Sequence, residues 1–253
     1  EKDRMSQAYA ERATGDWLWQ IDADEFYYER DMLRIVEKLE RDSDISGMSF
    51  QTRTFWGSDA YCVDGYLLHT PASVYRRLFR WGGGYRYASH RPPTVVNERG
   101  VDLTQGKWVS GEELAAQGIV MNHYSLVFPA QVRDKCLYHD SLKAMDISFF
   151  QWYERCYKRL ERPFRVHDVP TYPAWLERFE QEHPAQIVRM FEDIGRKRLN
   201  VTVRDNADVE RLLSSRRYRL IAGFMAHALY GRRYGLIQKA LCAGLEGMWS
   251  LCK

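Results

Sequence analysis

Three carboxylates fall within four residues at Asp22, Asp24 and Glu25. They follow the apolar run Trp17-Leu18-Trp19-Gln20-Ile21 and precede Phe26, Tyr27 and Tyr28. Hard oxygen ligands of this kind suit Mg2+ or Mn2+, ions that commonly bridge protein carboxylates to phosphates. The apolar run is short, rich in large side chains and bounded by Gly15-Asp16, which predicts a buried strand. Asp22 and Asp24 then stand at its C-terminal edge, where open α/β sheets bind ligands. In an extended chain, alternation puts both on one side. Two carboxylates held that close repel each other unless a cation sits between them. A D-x-D also fits a solvated acidic turn after a strand.

Other residue types along the chain extend this chemistry. Val74 to Trp81 (VYRRLFRW) predicts a strand carrying Arg76, Arg77 and Arg80. Arginines near a metal can clamp phosphate through two parallel hydrogen bonds, and they can equally be solvated strand-edge residues. His90 has the ordinary pKa range of a general base. Asp59, in the turn Trp56-Gly57-Ser58-Asp59, is a second candidate for that role or a plain turn aspartate. His123 closes a short apolar run at Met121-Asn122 and so is expected at a strand terminus, as a metal ligand should be. Imidazole with carboxylates suits Mn2+ somewhat better than Mg2+. Lys135, on a helix expected from Phe128-Pro129, is a candidate phosphate contact.

The segment Gly15-Asp16-Trp17-Leu18-Trp19-Gln20-Ile21-Asp22-Ala23-Asp24-Glu25-Phe26 resembles the D-x-D segment of family 2 glycosyltransferases with the GT-A fold. It is most similar to the bacterial branch that reads D-x-D-E-F or D-x-D-E-W. Asn122-His123-Tyr124, followed by Pro129 to Lys135, resembles the family's His-Tyr and the Lys-bearing helix after it. A weaker match is Arg77-Leu78-Phe79-Arg80 with His90-Arg91-Pro92-Pro93, where Arg91 stands in place of the Glu common in relatives. The resemblance covers about residues 1 to 195.

The resemblance implies sugar transfer from a nucleotide-diphosphate donor to a hydroxyl acceptor, saccharide or lipid-linked, by an inverting course in cell-envelope polysaccharide or lipopolysaccharide synthesis. Asp22, Asp24 and His123 would hold Mn2+ or Mg2+. Asp22, Glu25, Arg77, Arg80 and Lys135 would contact substrate, and the base would be His90, then Glu98, then Asp59. The family's earlier βα units, which hold nucleobase and ribose, have no counterpart here. The expectation is therefore the C-terminal part of a GT-A domain over residues 1–162.

The supporting elements read as follows. Residues 1 to 13 predict a helix with Met5, Ala8 and Tyr9 on one stripe, and Asp31 to Leu39 an amphipathic helix broken at Asp42-Ser43-Asp44. Ile45 to Phe55 predicts a strand with Met48, Phe50 and Thr52 alternating, and Gly82-Gly83-Gly84 a hairpin turn. Asn97 to Gly106 predicts a loop over the site. Ser148 to Leu160 predicts a helix whose aromatic residues are core. Beyond residue 163 a helical extension is expected, with helices from His183-Pro184, Val209, Tyr218 and Leu236. There Arg211, Arg216, Arg217, Arg219, Arg232, Arg233 and Lys239 interleave with Leu220, Ile221, Phe224, Met225, Leu229, Tyr234, Leu236 and Trp249. This pattern suits a peripheral membrane contact or a packed bundle.

The chain of 253 residues can bury one substantial core, and its formal net charge of +3 gives no sign of nucleic-acid binding. Its 5 cysteines are widely spaced, with no C-x-x-C, which suits a reducing compartment. The expected fold class is α/β: a partial, Rossmann-like GT-A nucleotide-diphospho-sugar transferase domain with a helical C-terminal extension. The expected location is cytoplasmic, at the inner face of the membrane. Two other readings stay open. One is a metal-dependent phosphoryl hydrolase or transferase, whose D-x-D normally continues with Thr or Val rather than Glu25-Phe26. The other is a non-catalytic carbohydrate-binding module.

Overall fold

A computed structural model describes residues 2–65, 74–142, 148–167, 173–229 and 236–250. The chain is mixed α/β and divides into two compact units, Glu1–Thr52 with Ser73–Met121, and Arg53–Ala72 with Asn122–Lys253. The units do not follow the expected division at residue 162.

The first unit is built on a mixed sheet in the order β1 (Trp17–Trp19), β5 (Val74–Arg80), β3 (Ile45–Trp56, of which residues 45–52 belong here) and β8 (Lys107–Val109). The β1–β5 and β5–β3 pairings are antiparallel and β3–β8 is parallel. Alternation sends Trp17, Trp19, Met48, Phe50 and Leu78 to one face and Leu18 and Phe79 to the other. The first face is covered by α2 (Glu29–Arg41) and α3 (Gly111–Ala116), through Ile35, Leu39 and Leu114. The second is covered by α1 (Lys2–Ala10), the hairpin of β6 (Arg86–His90) and β7 (Pro93–Val96), and a 3-10 turn at Leu103–Gln105. Because both faces are covered, β3 is buried along nearly its whole length, not only at the expected alternate positions.

Several expectations are corrected in this unit. β1 stops at Trp19, and Ile21 is exposed rather than buried. On α1 the buried positions are Ser6 and Ala10, while Met5 and Tyr9 face out. The reason is polar: Asp3 and Gln7 carboxylate and amide oxygens accept from the backbone N–H groups of His90 and Tyr87, at 2.6 and 2.7 Å, and dock this face on β6. On α2, Leu33 and Val36 are exposed. Gly82 to Tyr85 is a turn closed by a 3.1 Å backbone bond, but β6 pairs with β7 and not with β5, so it is no hairpin. The 97–106 loop is packed: Asn97 Oδ1 accepts from the N–H of Arg99 and Val101 at 3.0 Å each, and Leu103 is buried.

The second unit holds β4 (Tyr61–Gly65), β9 (Met121–Leu126, from Asn122 onward) and α4 (Pro129–Ser141). It continues with α5 (Phe149–Trp152) running into a π-helical turn at Tyr153–Tyr157, then β10 (Ala174–Arg178) and α6 (Ala185–Gly195). α7 (Ala207–Ser214), α8 (Arg216–Leu229) and α9 (Leu236–Ser250) complete it. β10 pairs antiparallel with β4, so the segment after residue 163 is not purely helical. As expected, the aromatics of residues 149–157 are core. Their polar atoms are satisfied by main chain: Trp152 Nε1 donates to Arg165 O at 2.9 Å and Tyr157 OH to Val127 O at 2.8 Å. Trp56 Nε1 donates to Val166 O at 3.0 Å in the same way. Burial pushes the Cys156 and Cys242 thiols up to about 11, which keeps both protonated.

Gly47 is required where β5 and β8 close on β3. A Cβ there would lie 2.7 Å from Leu78 O and strike the Trp108 ring, which a 2.7 Å bond to Ser49 Oγ holds in place. Gly47→Ala is expected to cost about 1–3 kcal/mol in urea denaturation, whereas Gly83→Ala, in open space, should change stability little.

Candidate acidic-turn site

The antiparallel register of β1 and β5 sets Trp19 opposite Leu78 and continues one step, with Gln20 N–H donating to Arg77 O at 2.7 Å. This brings the Arg77 side chain to the residues just past β1. There the chain turns instead of staying extended: Glu25 N–H donates to Asp22 O at 3.0 Å, and Asp22 N–H donates to Glu25 Oε2 at 3.2 Å. Glu25 then enters β2 (Glu25–Phe26). The alternation argument for Asp22 and Asp24 therefore fails, because residues 22 to 25 form a tight turn.

The turn is organised by Arg77. Its Nε donates to Glu25 Oε2 at 2.8 Å, its Nη2 donates to Glu25 Oε1, and Nη2 also donates to Asp22 Oδ2 at 2.9 Å. Glu25 and Arg77 are both buried, while half of the Asp22 side chain is exposed and Asp24 is half-buried. Burial alone would lower the Arg77 pKa, but hydrogen bonds and charge from Glu25 outweigh it and raise it. Tyr75 lies beneath the guanidinium, 5.3 Å from ring centroid to Cζ. Tyr27 packs against Trp19 and Phe50 at 5.0 and 5.1 Å, and burial pushes its phenol pKa up. The cation that the clustered carboxylates call for is thus supplied, for Glu25 and in part for Asp22, by the protein itself.

The remaining candidates are placed as follows. Arg80 donates to Ser43 O and lies over the Trp17 ring. His90 ends β6 with Nδ1 2.8 Å from Ser6 Oγ. Glu98 is exposed in the turn after β7. Asp59, His123 and Lys135 belong to the second unit. His123 lies inside β9 and not at its end, and Lys135 Nζ donates to Ser125 Oγ at 3.3 Å. Among the described residues no three His, Cys, Asp or Glu side chains gather into a group that could hold a metal. In kind, the carboxylates of Asp22 and Asp24 fit a hard divalent ion, and Asp22 Oδ1 takes no part in the Arg77 contact. Clefts of about 580 and 490 Å3 in the first unit are lined by neither aspartate.

The second unit contains a titratable cluster that sequence reasoning missed. Tyr124 OH and His183 Nδ1 are 2.8 Å apart, and Phe55 and Phe179 wall the imidazole at 5.2 and 4.8 Å. The Asp59 main chain accepts from the same ring, which favours its charged form. Burial lowers the His183 pKa from 6.5, with the Asp59 carboxylate opposing and Arg53 assisting. Asp59 and Tyr124 were each marked from sequence, but only the fold brings positions 59, 124 and 183 together.

Comparison with protein-family models, with curated proteins and with solved structures finds no match.

Two outcomes are expected. Arg77→Ala leaves Glu25 buried without its partner and should destabilise by about 3–5 kcal/mol. The double variant Arg77→Met with Glu25→Leu should recover most of that loss in the same urea titration. For His183 the folded pKa lies below the unfolded value of 6.5, so the unfolded chain takes up the proton first. Its contribution is present above pH 6.5 and is lost as pH falls through the lowered folded pKa. Thermal melts between pH 8 and pH 5 should show a steeper loss in wild type than in His183→Phe.

Proposed function

We propose that the chain is a metal-dependent glycosyltransferase of the GT-A type, moving a sugar from a nucleotide-diphosphate donor to a hydroxyl acceptor in cell-envelope polysaccharide or lipopolysaccharide synthesis. One observation carries this reading. A hydrogen-bonded turn follows a sheet strand and leaves Asp22 exposed and Asp24 half-buried, while Glu25 is held inward by Arg77. Asp22 and Asp24 would hold Mn2+ or Mg2+. A divalent ion there supplies positive charge to the leaving diphosphate. Arg77 acts as a positioning residue, since its donors are directed at Glu25 and Asp22. Within the first unit, the acceptor proton would go to His90 or, next in preference, to Glu98.

The Arg77 fork also favours a second reading. A protein cation already offsets the acidic cluster, so the turn can be structural and the chain a non-catalytic carbohydrate-binding module.

Calorimetric titration with UDP and GDP, in Mn2+ and in EDTA, separates the two. The transferase reading expects nucleotide binding that needs Mn2+ and falls at least tenfold in Asp24→Ala, with the melting temperature unchanged. A folded protein that binds neither nucleotide under any of these conditions would remove the transferase reading and leave the module. Hydrolysis of a generic phosphoester, lost in the same variant, would instead support a phosphoryl hydrolase.

A further inference from the structure

The interleaved basic and apolar residues near the C-terminus separate into two faces in the folded chain. On α8, Tyr218, Ile221, Met225 and Leu229 are buried, whereas Leu220 and Phe224 are exposed by 56% and 64%. Arg216 and Arg219 flank them at helical spacing and are exposed. α9 packs against α8 and itself exposes Leu241 and Met248, by 46% and 56%. Arg232, Arg233 and Tyr234 lie outside the described residues.

Charge on this face is of one sign. α8 contains no Asp or Glu, and Glu246, the acid of α9, pairs inward with Arg165 at 2.7 Å. The acids of the adjoining α7 and β10 are also engaged: Asp208 with Arg204, Glu210 with Arg178, and Glu177 with Trp175 Nε1. Arg217 is drawn aside over the Trp249 ring, 5.6 Å from its centroid. Among the described residues, Arg216 and Arg219 have no carboxylate partner.

We infer that this α8–α9 face docks on a membrane surface carrying anionic phospholipid headgroups. Leu220, Phe224, Leu241 and Met248 enter the acyl boundary, and Arg216 and Arg219 meet the phosphates. Among the described residues no helix is long and apolar enough to cross a membrane, so the contact is peripheral. A second copy of the chain fits less well, because a two-fold contact would set these arginines against each other with no acid to meet them. The inference does not depend on the sugar-transfer reading.

The test is co-sedimentation of the 253-residue chain with phosphatidylcholine vesicles, with and without phosphatidylglycerol. Binding is expected only with phosphatidylglycerol and should weaken in high salt. Arg216→Gln with Arg219→Gln should reduce it roughly tenfold or more. Leu220→Ser with Phe224→Ser should abolish it, and both pairs should keep the wild-type circular dichroism melt because they alter exposed positions. Wild type that does not pellet with phosphatidylglycerol vesicles, or folded variants that bind like wild type, would overturn the inference. So would self-association in gel filtration that the Leu220/Phe224 variant removes, without vesicle binding.

Discussion

The buried pair between Glu25 and Arg77 is the interaction on which the first unit's chemistry depends. A carboxylate that is only 3% exposed cannot remain charged there without a partner, and a guanidinium with two parallel donors is the geometry that matches it. The pair joins the loop after β1 to the middle of β5, and its spare Nη2 contact holds Asp22. The exposed part of the turn is thereby fixed by its buried part. The Asp22 carboxylate is thus held in place before any ligand could meet it, with little ordering left to be done.

The second unit solves a different problem. Its core is crowded with indoles and phenols, each bearing one polar atom that must be satisfied away from water. The structure gives several of these atoms main-chain partners, as at Trp56, Trp152 and Tyr157, and gives Trp175 and Tyr61 carboxylate partners in Glu177 and Glu210. Tyr218 is the clearest case: its hydroxyl accepts from Leu176 N–H at 2.8 Å and donates to Leu176 O at 3.2 Å, completing the edge of β10 as a neighbouring strand would. Asp140 does similar work at the start of α5, where its carboxylate accepts from Phe149 N–H and Phe150 N–H at 2.7 and 2.9 Å. These bonds hold the Asp140 carboxyl below its usual range even though partial burial opposes them. Such contacts give the aromatic cluster one arrangement rather than many, because burial itself is non-directional and hydrogen bonds are not.

Much of the secondary structure was legible along the chain. α2, β3, β5, α4 and the helices from residue 185 onward lie close to where periodicity and punctuation place them. These are long segments in which many side chains repeat the same signal. The shortest elements were the least legible. β1 ends two residues before its apolar run does, and α1 buries serine and alanine while exposing methionine and tyrosine. In both cases a few polar contacts across the fold outweighed local hydrophobicity, and a one-dimensional pattern cannot register them.

The sequence by itself determined that the molecule is mixed α/β, that clustered carboxylates follow an aromatic strand, and that aromatic side chains fill a helical core. Each of these follows from residues near one another in the chain, whose periodicity or turn chemistry acts locally. Tertiary structure decided what the charged residues do. Arg77 reads from sequence as a phosphate clamp or a solvated strand-edge residue, yet an antiparallel register with β1 turns it onto Glu25. Likewise, only folding joins Tyr124, Asp59 and His183 into one cluster, and only packing separates the exposed Leu220 and Phe224 from the buried Ile221 and Met225. Charge and hydrogen bonding act over a few ångströms in space, whatever the separation in sequence, so their partners are set by the fold.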